Sequence, residues 1–234
     1  MIINQYKNLV SYYLKELQGT GHLAFRDMPN IISNLDLKGN LTLDFGCGAG
    51  RSSKLLMSMG LDVYGVDIEP SMITQAKLIN KDKFTLIKDN SLPFPTDMFD
   101  VIFNSFVLFD FPSLQSMIDA FSEMRRVCKG GGYIISVTNS NHLFNKNWLT
   151  IRNDFPQNKS LISGRIAKIH LIDNDIELND YFWREQDYHT CFKEAGLVLK
   201  KTFYPLGSKH DGYDWKDEYI FPPYAIFVCS LGKL

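Results

Sequence analysis

Residues 41–50 read LTLDFGCGAG. Leu41 to Phe45 has the character of a buried strand, and the glycines that follow predict a tight turn. Arg51 to Met59 then reads as a helix with Leu55, Leu56 and Met59 on its inner side. The same alternation repeats downstream. Leu61 to Val66 is a second strand, closed by Asp67, and Pro70 opens a helix, where its missing N–H costs nothing. Phe84 to Ile87 and Asp100 to Ser105 read as the third and fourth strands. Ser113 to Cys128 is a helix with Leu114, Met117, Ile118, Phe121 and Met124 inward, and the turn Gly130–Gly132 leads into a fifth strand, Tyr133 to Val137. Strands alternating with helices at this spacing predict an α/β fold with an open, doubly wound parallel sheet covered on both faces.

Residues 140–185 break that rhythm. Ile166 to Ile172 and Ile176 to Phe182 each alternate around Asn174–Asp175, which predicts a hairpin in an inserted cap. Gln186 to Ala195 is a short helix stopped at Gly196, and Leu197 to Tyr204 and Ala225 to Leu231 are the last two strands. The loop between them carries Tyr213, Trp215, Tyr219 and Phe221. At the other end, Tyr6, Leu9, Val10, Tyr13, Leu14 and Leu17 fall on one face of a helix over residues 4–18, a cover for the core or a lid over a ligand.

The 234 residues are 45% hydrophobic and 22% charged, which excludes disorder. Twenty-five basic against 26 acidic residues give a net charge of −1, which argues against nucleic acid as a partner. The four cysteines, Cys47, Cys128, Cys191 and Cys229, form no CxxC pair, so neither a metal nor a disulfide framework is expected. No basic start followed by an apolar block opens the chain, and no apolar run is long enough to span a bilayer. The expected setting is cytoplasmic, away from membranes.

A strand, a glycine turn and a helix in that order suit an adenosine-type ligand, because glycines admit close backbone approach and the helix start offers free N–H groups. Asp67 ends the second strand 21 residues after Gly46, where an acid faces ribose hydroxyls, and Asp89 follows the third. Alone, Asp67 serves as readily as a helix-leading cap, and Asp89 reads as a loop residue; the joint pattern carries the assignment. Cys47 reads as a small filler of a crowded turn. The dinucleotide fingerprint fails at its third glycine, where Arg51 stands. Asp44, two residues ahead of Gly46, would repel a pyrophosphate and attract an ammonium and a sulfonium. That sign favours S-adenosyl-L-methionine over NAD.

The stretches LTLDFGCGAG (41–50), YGVDIEPSMITQAK (64–77), IKDNSLPF (87–94), FDVIFNSFVLFDF (99–111) and EMRRVCKGGGYIISV (123–137) together resemble the class I S-adenosylmethionine-dependent methyltransferases, over roughly residues 40–138. YFWREQDYHTCFKEAGL (181–197) extends the resemblance weakly toward small-molecule members. The resemblance implies a Rossmann-like, seven-stranded, mostly parallel sheet with the last strand antiparallel. It also implies roles. Asp44 would hold the methionine ammonium, directly or through water, and Gly46, Cys47, Gly48 and Gly50 would line the methionine and ribose. Asp67 would bind the ribose hydroxyls, Ile68 would pack on the adenine, and Asp89 would accept from its amino group beside Asn90, with Leu92 near the ring's other side. Asn104, Ser105 and Phe106 would form the floor near the sulfonium. Many relatives carry a histidine shortly after that strand; Phe109 stands there in this chain.

Methyl transfer from a sulfonium is an in-line displacement, so alignment and water exclusion matter most, and a base is needed only for a nucleophile protonated at neutral pH. Of the five histidines, His142 and His210 follow strands at the ligand edge and are the candidates for a catalytic base. The acceptor pocket is expected from what overhangs that edge: Tyr6, Tyr13, Phe106, Trp148, Tyr181, Trp183, Arg184 and Trp215, with Tyr213 and Tyr219 in the same loop. Such aromatic density suits a small organic acceptor. A single domain over residues 1–234 is expected, with an N-terminal helical lid (1–30), a cofactor-binding core (31–139), the cap insertion (140–185) and a C-terminal helix and strands (186–234). Three alternatives stay open: an RNA- or protein-modifying methyltransferase, a non-catalytic sensor of the same cofactor, and an NAD-dependent oxidoreductase. Oligomeric state is not legible.

Overall fold

A computed structural model describes residues 9–232. Its main sheet has seven strands in the order β3-β2-β1-β4-β5-β10-β9. They are β1 (Leu41–Phe45), β2 (Asp62–Asp67), β3 (Phe84–Leu86), β4 (Phe99–Ser105), β5 (Cys128–Asn139), β9 (Leu197–Phe203) and β10 (Tyr224–Leu231). β1 pairs in parallel with both β2 and β4, β2 with β3, and β4 with β5, while β10 runs antiparallel between β5 and β9. The chain therefore winds outward from β1 through β2 and β3, then restarts at β4 on the other side of β1. That reversal opens a crevice at the carboxyl ends of β1 and β4.

Strand alternation sends successive side chains to opposite faces. Val101 and Phe103 of β4, with Ile226 and Val228 of β10, join a core with α2 (Leu23–Arg26), α3 (Met28–Asn34) and Leu56 of α4 (Arg51–Ser58). Ile102 of β4, with Ala225, Phe227 and Cys229 of β10, joins a second core under α6 (Leu114–Val127) and α7 (Glu185–Glu194). The cap adds a three-stranded sheet, β6 (Ile151–Arg152), β7 (Ile166–Leu171) and β8 (Ile176–Tyr181), ordered β6-β7-β8. Its Ile169 and Leu178, with Trp148, belong to the first core, so the cap is packed onto the sheet rather than tethered to it. α5 (Pro70–Ala76) starts at Pro70, as the sequence predicts, with Glu69 capping it through a bond from the Ser71 N–H. No helix among the described residues is long and apolar enough to cross a membrane.

Two expectations are corrected here, and a third, the hairpin, is present as β7 and β8 and extended. The helix over 4–18 is, in its described part, a single turn, α1 (Val10–Tyr13), because Leu14 to Gln18 leave the helical path; its Tyr6 end lies outside the described residues. The glycine triplet is not a turn before β5 but a bulge within it, since Phe99 pairs with Cys128 and Val101 with Tyr133. The hairpin has a third strand, β6, too short to show alternation.

The loop over 205–223 is tied down by a fully buried carboxylate. Glu218 accepts from Thr20 Oγ1 at 2.7 Å, the Leu149 N–H at 2.7 Å and the Lys216 N–H at 2.9 Å, joining N-terminal segment, cap and loop. Truncating one member of such a network leaves a buried polar group unpaired.

Candidate functional site

The glycine turn folds back on the end of β2. The N–H groups of Gly46 and Cys47 both donate to Val66 O, at 2.8 and 2.9 Å, and the Gly48 N–H donates to Asp67 Oδ2 at 2.8 Å. Gly46 has a φ of +74°, and a Cβ there would stand 2.3 Å from Val107 Cγ2, so glycine is required on both counts. Gly48 is different: a Cβ would meet nothing closer than Tyr13 Cδ1 at 4.0 Å, because its outer side faces open space. That space is a cavity of about 360 Å³ at the crevice.

Gly46, Cys47, Gly48, Asp67, Ile68, Asp89, Asn90, Ser105 and Phe106 all line it. Asp67 Oδ1 accepts from the Glu69 N–H at 2.8 Å, so its carboxylate braces the turn and α5 together, and burial pushes its pKa up. Ile68 keeps 44% of its surface exposed, an apolar face offered to the cavity. Asp89 is exposed and turns one oxygen onto the Ser91 N–H at 2.8 Å. Cys47 is buried against Ile73, Ala76 and Phe84, and its thiol is pushed well above its usual range by burial and by Asp44 and Asp67; it fills space.

Asp44 lies behind the turn rather than in the cavity wall. It is fully buried, and its Oδ2 accepts from Ser52 Oγ and Ser53 Oγ, both at 2.6 Å, while Oδ1 has no hydrogen-bond partner. Burial raises its pKa to about 6, against the two serine hydroxyls, which lower it. The cavity wall thus holds Ser52, whose hydroxyl donates to Asp44, and not Asp44 itself.

Asn104 is also corrected. Strand alternation puts it on the opposite face from Ser105, where its Nδ2 donates to Ser136 Oγ at 2.9 Å under α6. Leu92 is buried in the second core and does not line the cavity.

A second cavity of about 220 Å³ adjoins the first, with Tyr13, Arg51 and Phe106 in the walls of both. Arg51 Cζ sits 5.5 Å from the Tyr12 ring centre and 5.2 Å from that of Tyr13, clasping the N-terminal turn over the glycine loop. Phe106 holds a left-handed backbone, φ +59°, that a bulky residue adopts only under constraint. Its N–H donates to Val137 O at 3.0 Å, and its ring packs on Phe25, Phe109 and Tyr224. Leu143, Ile151, Ile169, Leu178, Asn139, Asp180 and Tyr224 complete much of this second wall.

Of the expected acceptor residues that lie among the described residues, only Tyr13 and Phe106 line these two cavities. Trp148, Trp183 and Trp215 are buried, and their indole N–H groups already donate to Leu143 O, Phe111 O and Ser208 O at 2.7, 3.1 and 3.1 Å. Tyr181 packs half-buried against the second core, and Arg184 is exposed at the start of α7, its N–H on Asp187 Oδ2. Trp215→Ala is accordingly expected to cost stability, about 3–5 kcal/mol on thermal or denaturant unfolding, with ligand binding by folded protein retained.

Neither candidate base stands in a cavity wall. The His142 ring lies 5.1 Å from that of Phe221, and burial and Lys146 lower its pKa; His210 is exposed on a turn. His142→Ala and His210→Ala are expected to leave turnover within about twofold, a result steady-state kinetics with each variant would check. The sequence reading passed over Arg51, noted only as a missing glycine, and Asp180. The second had a readable signal: a carboxylate at an inward position of the alternating β8.

Residues 43–136 match the family described as a methyltransferase domain. Over 154 residues the chain is 31% identical to the malonyl-(acyl-carrier protein) O-methyltransferase of Buchnera aphidicola, covering 62% of this chain and 61% of that protein. It is 29% identical over 140 residues to "Probable tRNA methyltransferase 9B" of Mus musculus, covering 56% of this chain and 29% of that one. The chain thus spans less than two thirds of these relatives. Among solved structures, the CcbJ methyltransferase of Streptomyces caelestis superposes with a TM-score of 0.67 over 97% of each chain at 15% identity, a likeness of fold. Sheet order, glycine turn and family match agree: residues 43–136 match a methyltransferase domain, and the sheet that holds them has the fold of the superposed methyltransferase.

Proposed function

We propose that this protein moves a methyl group from S-adenosyl-L-methionine to a small organic acceptor held in the second cavity. The observation that carries the reading is the pair of adjoining cavities, which share Tyr13, Arg51 and Phe106 as a common wall. The cofactor fits the larger one in its chemistry. An apolar face at Ile68, carboxylates at Asp67 and Asp89, an open glycine cradle at Gly48 and an anion behind the turn match an adenine, a ribose with its donors, and a cationic methionine end.

In this reading Asp67 holds the ribose hydroxyls, Ile68 covers the adenine, and Asp89 and Asn90 meet its amino group. Gly46, Cys47 and Gly48 shape the wall around the methionine end, Gly50 turns the chain outside that wall against Ile79, and Asp44 supplies the counter-charge through Ser52. When bound, the cofactor supplies a methyl group on a sulfonium, ready for displacement. Ser105 and Phe106 form the floor that aligns the acceptor, and Tyr13, clasped by Arg51, closes the site to water. No histidine is needed in this arrangement. The residue partition of one domain into lid, core, cap and C-terminal unit, and a reduced, cytoplasmic setting for four buried free cysteines, belong to the same proposal.

The names of the relatives favour a second reading, an acceptor carried on a protein or on tRNA. Formation of S-adenosylhomocysteine separates the readings when the protein is supplied with a pool of small metabolites, with acyl-carrier protein, or with tRNA. Turnover with the small-molecule pool alone is expected. Turnover confined to either macromolecule would overturn the small-acceptor reading.

A further inference from the structure

We propose that Tyr224 and Asn139 select the acceptor, and that the second cavity takes a small, uncharged molecule with a largely apolar body and an amide-type head, a carbonyl beside an N–H. This deepens the methyltransferase reading, on which its name for the ligand as an acceptor rests. The two residues stand opposite each other where β10 pairs with β5, so their side chains leave the same face of the sheet, and both line the cavity. Tyr224 is 4% exposed and Asn139 8%. The Tyr224 ring sits edge-on to that of Phe106 at 5.5 Å, which holds the phenol in the wall. Its hydroxyl meets no hydrogen-bond partner among the described residues. Asn139 Nδ2 donates to Asp180 Oδ2 at 3.4 Å, which fixes the nitrogen of that amide on the carboxylate and leaves its oxygen as an acceptor that no described donor meets.

The cavity therefore offers one donor, the phenol, and one acceptor, the amide oxygen, from neighbouring positions. A polar group removed from water and left unpaired costs its desolvation, so an occupant that answers both groups is favoured over one that answers a single group. A carbonyl beside an N–H answers both: its oxygen accepts from Tyr224, and its N–H donates to Asn139 Oδ1. Charged heads fit less well. Burial is the main cause that raises the Tyr224 pKa and keeps the phenol neutral, with Glu218 and Asp180 adding to the rise and Arg51 opposing it. A carboxylate at the phenol would meet the fields of two anions. An ammonium would meet that of a cation, and it has no lone pair to accept the phenol's proton. The surrounding wall is aliphatic at Leu143, Ile151, Ile169 and Leu178, which suits an apolar body. The cavity's 220 Å³ falls below the range of roughly 300–1,000 Å³ for drug-sized ligands, which restricts the occupant to about one ring or a short chain.

Benzamide, acetophenone, benzoate and benzylamine test this as probes of similar size and four headgroups, titrated by calorimetry into the protein with and without S-adenosylhomocysteine. Benzamide is expected to bind about tenfold more tightly than acetophenone, which lacks the N–H, and more tightly still than either charged probe. Tyr224→Phe should weaken benzamide about tenfold and keep the affinity for S-adenosylhomocysteine. It should also melt within about 2 °C of the native protein, because the hydroxyl it removes bonds nothing in the fold. Asn139→Leu should bring benzamide down to the level of acetophenone. Equal binding of the ketone or of a charged probe, no binding by any probe, or an unchanged benzamide affinity in either variant would each overturn the proposal. So would a large fall in the melting temperature of Tyr224→Phe, which would show that the hydroxyl serves the fold. If Asn139→Leu does not fold, the ranking in the native protein and the Tyr224→Phe result decide it. The titration with S-adenosylhomocysteine alone reports separately on the methyltransferase reading, since a Tyr224-dependent preference for the amide would stand without it.

Discussion

Asp67→Ala is expected to weaken binding of S-adenosylmethionine and S-adenosylhomocysteine by roughly 100-fold. The carboxylate holds the Gly48 N–H at 2.8 Å and the Glu69 N–H at 2.8 Å, and it stands in the cavity wall. Removing it deletes the proposed ribose contacts and also frees the turn that shapes the methionine end. Hydrogen bonds to a charged group are worth about 1.5–3 kcal/mol each, so losing two at one site accounts for about 3 kcal/mol or more, the stated factor. Asp89→Ala provides the internal comparison. That side chain is exposed and bonds only locally among the contacts seen, to the Ser91 N–H, so a loss of only a few-fold is expected. Calorimetric titration of both variants with S-adenosylhomocysteine checks the order; equal losses would contradict the assignment of Asp67.

Asp44→Asn is expected to move two quantities in opposite directions. Burial raises the Asp44 pKa to about 6, from the ordinary 3.8, with Asp67 adding to the rise and Ser52 and Ser53 opposing it. Above pH 6 the folded protein holds a buried carboxylate that the unfolded chain would solvate, a penalty on the order of 3 kcal/mol at neutral pH. As pH falls through 6 toward 3.8, the native state takes up its proton before the unfolded one does, and this group's contribution to stability rises. Asparagine removes the charge and lets the serine hydroxyls bond an amide instead. The ligand-free variant should therefore melt several degrees higher at pH 7.5, while its affinity for S-adenosylmethionine falls about tenfold. Native affinity should also decline as pH drops below about 6, and the variant should lack that decline. Thermal unfolding and titration at pH 5.5 and 7.5 check both; a variant that melts lower and binds equally well would show that Asp44 serves packing alone.

The core of this architecture was written in local pattern. Leu41 to Phe45 with three glycines after it, Asp67 closing β2, and Met117, Phe121 and Met124 on one side of α6 each announce strand, turn or helix through short-range chemistry. The same patterns placed Asp67, Ile68, Asp89, Ser105 and Phe106 around one cavity, because strand ends in a doubly wound sheet converge there. What the sequence hid depends on non-local partners. Whether Trp148 or Trp215 faces a ligand or a core turns on which carbonyl its indole N–H meets, Leu143 O or Ser208 O, and no spacing encodes that. Asn104 and Ser105 are adjacent letters, yet alternation puts only one of them in the cavity. Glu218 and Asp180 stand in the loop and the hairpin, and the fold buries both. Arg51 broke one glycine fingerprint, and in the fold it clasps Tyr12 and Tyr13 over the site.

The claim that an anion behind the glycine turn sets the ligand is most directly tested by one titration. The purified protein at pH 7.5 should take up S-adenosylmethionine at a single site and show no heat with NADH under the same conditions. Saturable binding of NADH with no response to S-adenosylmethionine would contradict the account.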